Sequence, residues 1–192
     1  MLDVICVIFA GGKSSRMGED KSLLPFPPYD TLSEFQFQRL QKIFKKVYIS
    51  TKEKEKFHFK ANFLEDIVTD DIFAPTIGFI SIFEKLQCEK VFVLSVDTPF
   101  VTEEIIKQIV QRDSDSVDAT IARIAQGIQP LCGIYHISLL PFFRKMLEED
   151  NHKLGYLLKK RKTNFIDFED KISFLNLNNP SEYKEALTHI SL

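Results

Sequence analysis

The chain has 192 residues, enough for one ordinary domain with a full core, and its 44% hydrophobic and 27% charged content excludes both a disordered tail and a membrane bundle. A formal net charge of -2 gives no global attraction to nucleic acid or an anionic membrane, so any anion site must be local. The three cysteines, Cys6, Cys88 and Cys132, are far apart with no C-x-x-C pair, which argues against a zinc or dithiol centre and for buried, reduced thiols in a cytosolic protein.

The first apolar run, residues 4–10, is too short to span a membrane, and Asp3 stands where a signal peptide would carry positive charge. It is expected to be a core strand over residues 3–9. After a glycine-rich stretch, Thr31 and Glu34 can form a capping box for a helix with Leu32, Phe35, Leu40 and Ile43 on one broad face. Residues 46–50 and 90–95 read as further strands, and Thr102 caps a helix carrying Ile105, Ile106, Ile109 and Val110 at helical spacing. Strands over 118–123 and 163–168 flank an amphipathic helix over 137–149, and the basic run at 159–162 is expected to be a solvated helix end. The last helix begins at Asn179-Pro180-Ser181-Glu182, with proline at its first position. Strands alternating with helices define an α/β protein, a Rossmann-like three-layer α/β/α domain over residues 1–192 with a mostly parallel central sheet.

Residues 4–26 read VICVIFAGGKSSRMGEDKSLLPF, a strand delivering a cationic glycine turn. A Walker A loop would need glycine at position 7, where Val7 stands, and a dinucleotide fingerprint would need G-x-G-x-x-G, whereas Gly11 and Gly12 are adjacent and the next glycine is Gly18. What remains is a loop in which Gly11 and Gly12 let backbone N–H groups approach a polyphosphate, with Ser14, Ser15 and Asp20 interleaved and Arg16 and Lys21 supplying charge. A second constellation, VFVLSVDTPFV, places Asp97 directly after a buried strand and before Thr98-Pro99, at the carboxyl edge of the sheet where open α/β proteins bind ligands. A carboxylate there suits Mg2+ shared with phosphate oxygens. The four histidines, His58, His136, His152 and His189, show no ligand spacing and are expected at the surface or in packing.

The stretch FAGGKSSRMGEDK resembles the signature of the molybdenum cofactor guanylyltransferases, nucleotidyltransferases with a GT-A-like α/β fold. The resemblance implies transfer of GMP from GTP to molybdopterin with release of pyrophosphate. It implies Mg2+ held by Asp97, catalysis by Arg16, Lys21 and Asp97, and a nucleotide site of Phe9, Ala10, Gly11, Gly12, Ser14, Lys21, Ser50, Asp71, Gly78 and Asp97. Ser50 stands where the family carries asparagine, VTDD offers Asp70 or Asp71 with Asp71 favoured by alignment, and the base loop G-P-L-x-G reads Ala74-Pro75-Thr76-Ile77-Gly78. QPLCGIY resembles the strand on the acceptor side, and FLNLNNPSEY the closing segment, whose Asn176 and Asn178 are implied to face the pterin. Ala74 leaves a CTP-dependent molybdopterin cytidylyltransferase or another small-molecule nucleotidyltransferase open, and a non-catalytic nucleotide- or pterin-binding module is the alternative of a different class. The family also implies transient contact with molybdoenzyme maturation proteins, with no nucleic-acid or membrane partner.

Overall fold

The computed structural model describes residues 1–11, 18–67 and 74–190. Among the described residues seven strands form one sheet: β1 (Ile5–Phe9), β2 (Val47–Thr51), β3 (Phe63–Glu65), β4 (Lys90–Ser95), β5 (Ala119–Ile124), β6 (Gly127–His136) and β7 (Thr163–Asp167), in the order β3-β2-β1-β4-β6-β5-β7. All pairings are parallel except those of β6, which runs antiparallel to β4 and to β5. The expected mostly parallel α/β sheet is what forms. Sequence reading from periodicity omitted β3, a three-residue edge strand too short to show alternation.

Among the described residues six α-helices cover the sheet: α1 (Leu32–Leu40), α2 (Pro75–Leu86), α3 (Glu103–Gln111), α4 (Leu140–Glu148), α5 (Leu154–Lys160) and α6 (Pro180–Ile190). The caps read from the sequence form, since the Thr31 and Thr102 hydroxyls accept from the backbone N–H of Glu34 and Ile105. Strands buried on both faces need a continuous apolar run, and β1 shows why. Cys6 and Ile8 face a core built with α1, α3 and α6, whereas Val7 and Phe9 face a second core built with α2, α4 and α5. Cys6 and Cys132 are buried as expected; Cys88 is half-buried.

One reading changes in kind. The Ala74 to Gly78 segment, expected as a base-recognition loop, is the start of a helix: Pro75 opens α2, and Ala74 precedes it at φ -131° and ψ 141°. Proline at the first helical position sacrifices only an N–H that has no partner there anyway. Extended backbone is open to any residue, so alanine in the place of the family's glycine strains nothing.

At the edge of the sheet away from the glycine turn, Asp113 is buried and accepts hydrogen bonds from Lys90 Nζ, Thr120 Oγ1 and His136 Nε2, each at 2.9 Å. His136 is thus a packing residue, as expected. Burial alone would raise the Asp113 carboxyl, but the bonds from His136, Lys90 and Thr120 outweigh it and hold the pKa at about 2, against an ordinary 3.8. A lowered carboxylate contributes stability above its unfolded pKa and loses it as pH falls through the folded one. Asp113→Asn is therefore expected to lower stability near neutral pH by about 2 kcal/mol, with the difference closing as pH falls from about 4 to 2. Urea unfolding across that range checks it, and a pH-independent difference would contradict the assignment.

Candidate functional site

Because β1, β2 and β4 are parallel, their carboxyl ends converge on one edge, and the chain leaving β1 there is gripped from both sides. Ala10 N donates to Ser50 O, and Val96 N donates to Phe9 O, each at 3.0 Å. Two cavities open along this edge. The first, about 280 Å³, is lined by Phe9, Gly11, Thr51, Asp66, Ala74 and Gly78 among others. The second, about 340 Å³, is lined by Ser95, Asp97, Gln129, Cys132, His152 and Asn176 among others, and Pro75 belongs to both.

Phe9 forms one wall of the first cavity and packs on Phe79, with ring centroids 5.0 Å apart. Gly78 lies against that ring so closely that a Cβ there would sit 2.5 Å from the Phe9 ring edge, nearer than real atoms approach. The glycine is needed for this contact, within the helix rather than in a loop. Ala10 is buried beside the turn. Ser50, buried at the end of β2, donates from Oγ to Asp66 Oδ1 at 2.7 Å.

Asp66 is a cavity residue that sequence reasoning missed, its acidic candidates being Asp70 and Asp71 of VTDD. Its signal was position: it directly follows β3, as a ligand-edge residue should, but β3 itself was not legible. Burial raises its carboxyl above the ordinary value, and the Ser50 hydrogen bond offsets part of that rise. Gly12, Ser14, Arg16, Asp70 and Asp71 lie outside the described residues.

Beside the cavities, Lys21 Nζ donates to Asp97 Oδ2 and to Asn178 Oδ1, each at 3.0 Å. Both members of the Lys21–Asp97 ion pair are only 17% exposed, so solvent screens the pair less than at a free surface. Asp97 Oδ1 accepts from Ser95 Oγ at 2.6 Å. The closing segment docks on the same point: Leu177 N donates to Asp97 O, and Asn178 N donates to Glu182 of α6. Asn178 therefore holds Lys21, while Asn176 lines the second cavity. The preceding residue is anchored too, since Asp20 accepts from Ser22 N at 2.9 Å and from Lys56 Nζ at 2.7 Å.

His152 also reaches the second cavity, with its Nδ1 2.7 Å from the buried Thr76 hydroxyl at the start of α2. This histidine belongs to the site edge, beyond the surface or packing role expected of it. Among the described residues no three His, Cys, Asp or Glu side chains cluster as a metal cage. Asp97 could still contribute to a shared site: the two described donors occupy only part of its roughly four lone-pair positions, and a carboxylate with room for phosphate oxygens suits a hard divalent cation.

A mostly parallel sheet whose carboxyl edge carries Gly11 at the end of β1, two adjoining cavities and a lysine–aspartate pair defines a nucleotidyltransferase-type α/β protein. Residues 6–164 match the family model described as the MobA-like NTP transferase domain. A protein from Campylobacter jejuni subsp. doylei named molybdenum cofactor guanylyltransferase is 40% identical over 180 residues, covering 94% of this chain and 93% of its own. One of the same name from Helicobacter pylori is 34% identical over 190 residues, covering 96% and 92%. The structure of molybdopterin-guanine dinucleotide biosynthesis protein A from Archaeoglobus fulgidus superposes with a TM-score of 0.83 over 98% of this chain and 99% of that one, at 19% identity. The chain belongs to the MobA-like NTP transferase family.

Proposed function

We propose that this protein transfers GMP from GTP to molybdopterin, forming the guanine dinucleotide form of the molybdenum cofactor and releasing pyrophosphate. The relatives that cover nearly the whole chain carry the matching name. The observation that carries the chemistry is the Lys21–Asp97 pair, fixed by Ser95 and Asn178 and bordering the second cavity. In this reading GTP occupies the first cavity, the pterin the second, and the glycine turn the triphosphate. An oxygen of the acceptor's terminal phosphate bonds to the α-phosphorus of GTP, and the bond from that phosphorus to the bridging oxygen of pyrophosphate breaks. A phosphate monoester has a second pKa of about 6 and is already anionic at neutral pH, so the site needs charge neutralisation and alignment rather than a general base. Lys21 and Arg16 supply fixed positive charge, and Asn178 keeps Lys21 in place. Mg2+ bound with Asp97 would neutralise phosphate charge.

Asp66 is assigned to the base. An ionised carboxylate is acceptor-only, which suits the adjacent N1–H and N2 amino donors of guanine better than the single amino donor of cytosine. Pyrophosphate release that requires both GTP and molybdopterin tests the activity, and a thermal-shift panel of GTP, CTP, ATP and UTP tests the base. Stabilisation by CTP alone would redirect the assignment to cytidylyl transfer. Asp66→Asn is expected to raise the KM for GTP about tenfold or more and to narrow the preference over CTP, since a site built to pair donors loses discrimination with its acceptor. An unchanged KM and preference would remove Asp66 from base recognition.

A further inference from the structure

The segment carrying Asp97 leaves β4 at Ser95, and regular structure resumes only at Glu103, where α3 begins. Buried backbone carbonyls in such a segment need donors, and Pro99 supplies none. Thr98 serves Ser95 O within the segment and Leu177 N serves Asp97 O, and α1 supplies further donors. Gln36 is fully buried, and its Nε2 lies 3.3 Å from Ser95 O, 3.3 Å from Val96 O and 3.1 Å from Thr98 O. Its Oε1 accepts from Arg39 Nε at 3.2 Å and from Nη2 at 2.7 Å, while Arg39 Nη1 donates to Val101 O.

The two side chains act as a unit. Because the guanidinium is donor-only, Gln36 must turn its oxygen towards Arg39 and its amino group towards the three carbonyls. One amide can serve all three only if the chain curls around it, and that curl brackets Asp97. The arrangement is costly: among the described residues no carboxylate forms an ion pair with Arg39, and burial draws its guanidinium down to about 10. A buried guanidinium held by neutral oxygens is weak evidence for a purely stabilising role.

We propose that Gln36 and Arg39 are positioning residues for catalysis, setting the direction in which the Asp97 carboxylate meets Lys21 and the reacting phosphates. The proposal rests on the nucleotidyl-transfer reading above. Displacing a catalytic group by about 1 Å can cost about 10²-fold in rate. Gln36→Met and Arg39→Met are expected to lower kcat about 10- to 100-fold with the KM for GTP changed less than about threefold, because the base cavity is untouched. They are also expected to weaken Mn2+ binding to the GTP-loaded protein, read by isothermal titration. Arg39→Lys should recover little, since an ammonium cannot reproduce the planar fork that engages Gln36 and Val101 together. A variant in the opposite core, Phe143→Leu, with a comparable loss of Tm, separates positioning from stability and should keep both kcat and Mn2+ affinity. Retained kcat and Mn2+ affinity in Gln36→Met, or an equal loss in Phe143→Leu, would overturn the proposal. Absence of transfer by the wild-type protein would count against the proposed function instead, and the Mn2+ titration would still decide whether Gln36 orients Asp97.

Discussion

Lys21→Ala is expected to slow guanylyl transfer by at least about 10²–10³-fold, equivalent to roughly 3–4 kcal/mol of transition-state stabilisation. The ammonium joins three parts of the site: the end of the glycine turn, Asp97 after β4 and Asn178 ahead of α6. Without it, Asp97 Oδ2 and Asn178 Oδ1 lose a common donor, and the charge that builds on the departing pyrophosphate loses a fixed counter-charge. The loss should fall on kcat, since the interaction strengthens as charge develops. Steady-state kinetics with pyrophosphate detection, alongside circular dichroism to confirm folding, reads the result. Near-normal turnover in a folded Lys21→Ala protein would dismiss the pair as a structural ion bridge.

Asp97→Ala should have an effect of the same order, about 10²–10³-fold, for a different reason. Removing the carboxylate leaves the Ser95 hydroxyl without its acceptor and takes one anchor from Lys21, which Asn178 still holds, so alignment and metal attachment go together. Asp97→Asn separates the two effects. The amide keeps an oxygen for Ser95 or Lys21 but carries no charge, so it should restore little activity if charge is the requirement and much of it if geometry alone matters. Raising Mg2+ should recover part of the activity in Asp97→Asn and none in Lys21→Ala. Full activity in either Asp97 variant would remove this residue from the mechanism.

β1 and β4 were legible because each is a short apolar run rich in β-branched residues and buried on both faces, as with Val91, Phe92, Val93 and Leu94 of β4, whereas β6 was read only through its resemblance to a family strand. The threonine caps were legible because the pairing of a hydroxyl with an N–H three residues on is local. Long-range facts were not. Nothing in the spacing of Gln36 and Arg39 announces that they will meet the carbonyls of residues 95–101, and Asn178 gives no sign that it will hold a lysine 157 positions away. Of the motif residues, Phe9, Gly11, Gly78 and Asp97 line the two cavities at the carboxyl edge of the sheet. Asp66 escaped because its strand is three residues long, and Gly78 was assigned to a loop because proline marks a helix start as readily as a turn.

The reversed direction of β6 has a mechanical meaning. One ten-residue strand runs from the wall of the second cavity, at Gln129 to Cys132, to the buried Asp113 carboxylate at the opposite edge, where His136 ends it. Sliding it by a single residue would turn every side chain to the other face, exchanging Cys132 with a neighbour that belongs to the other core. The ion cluster therefore works as a registration pin, holding at a distance the wall of the second cavity.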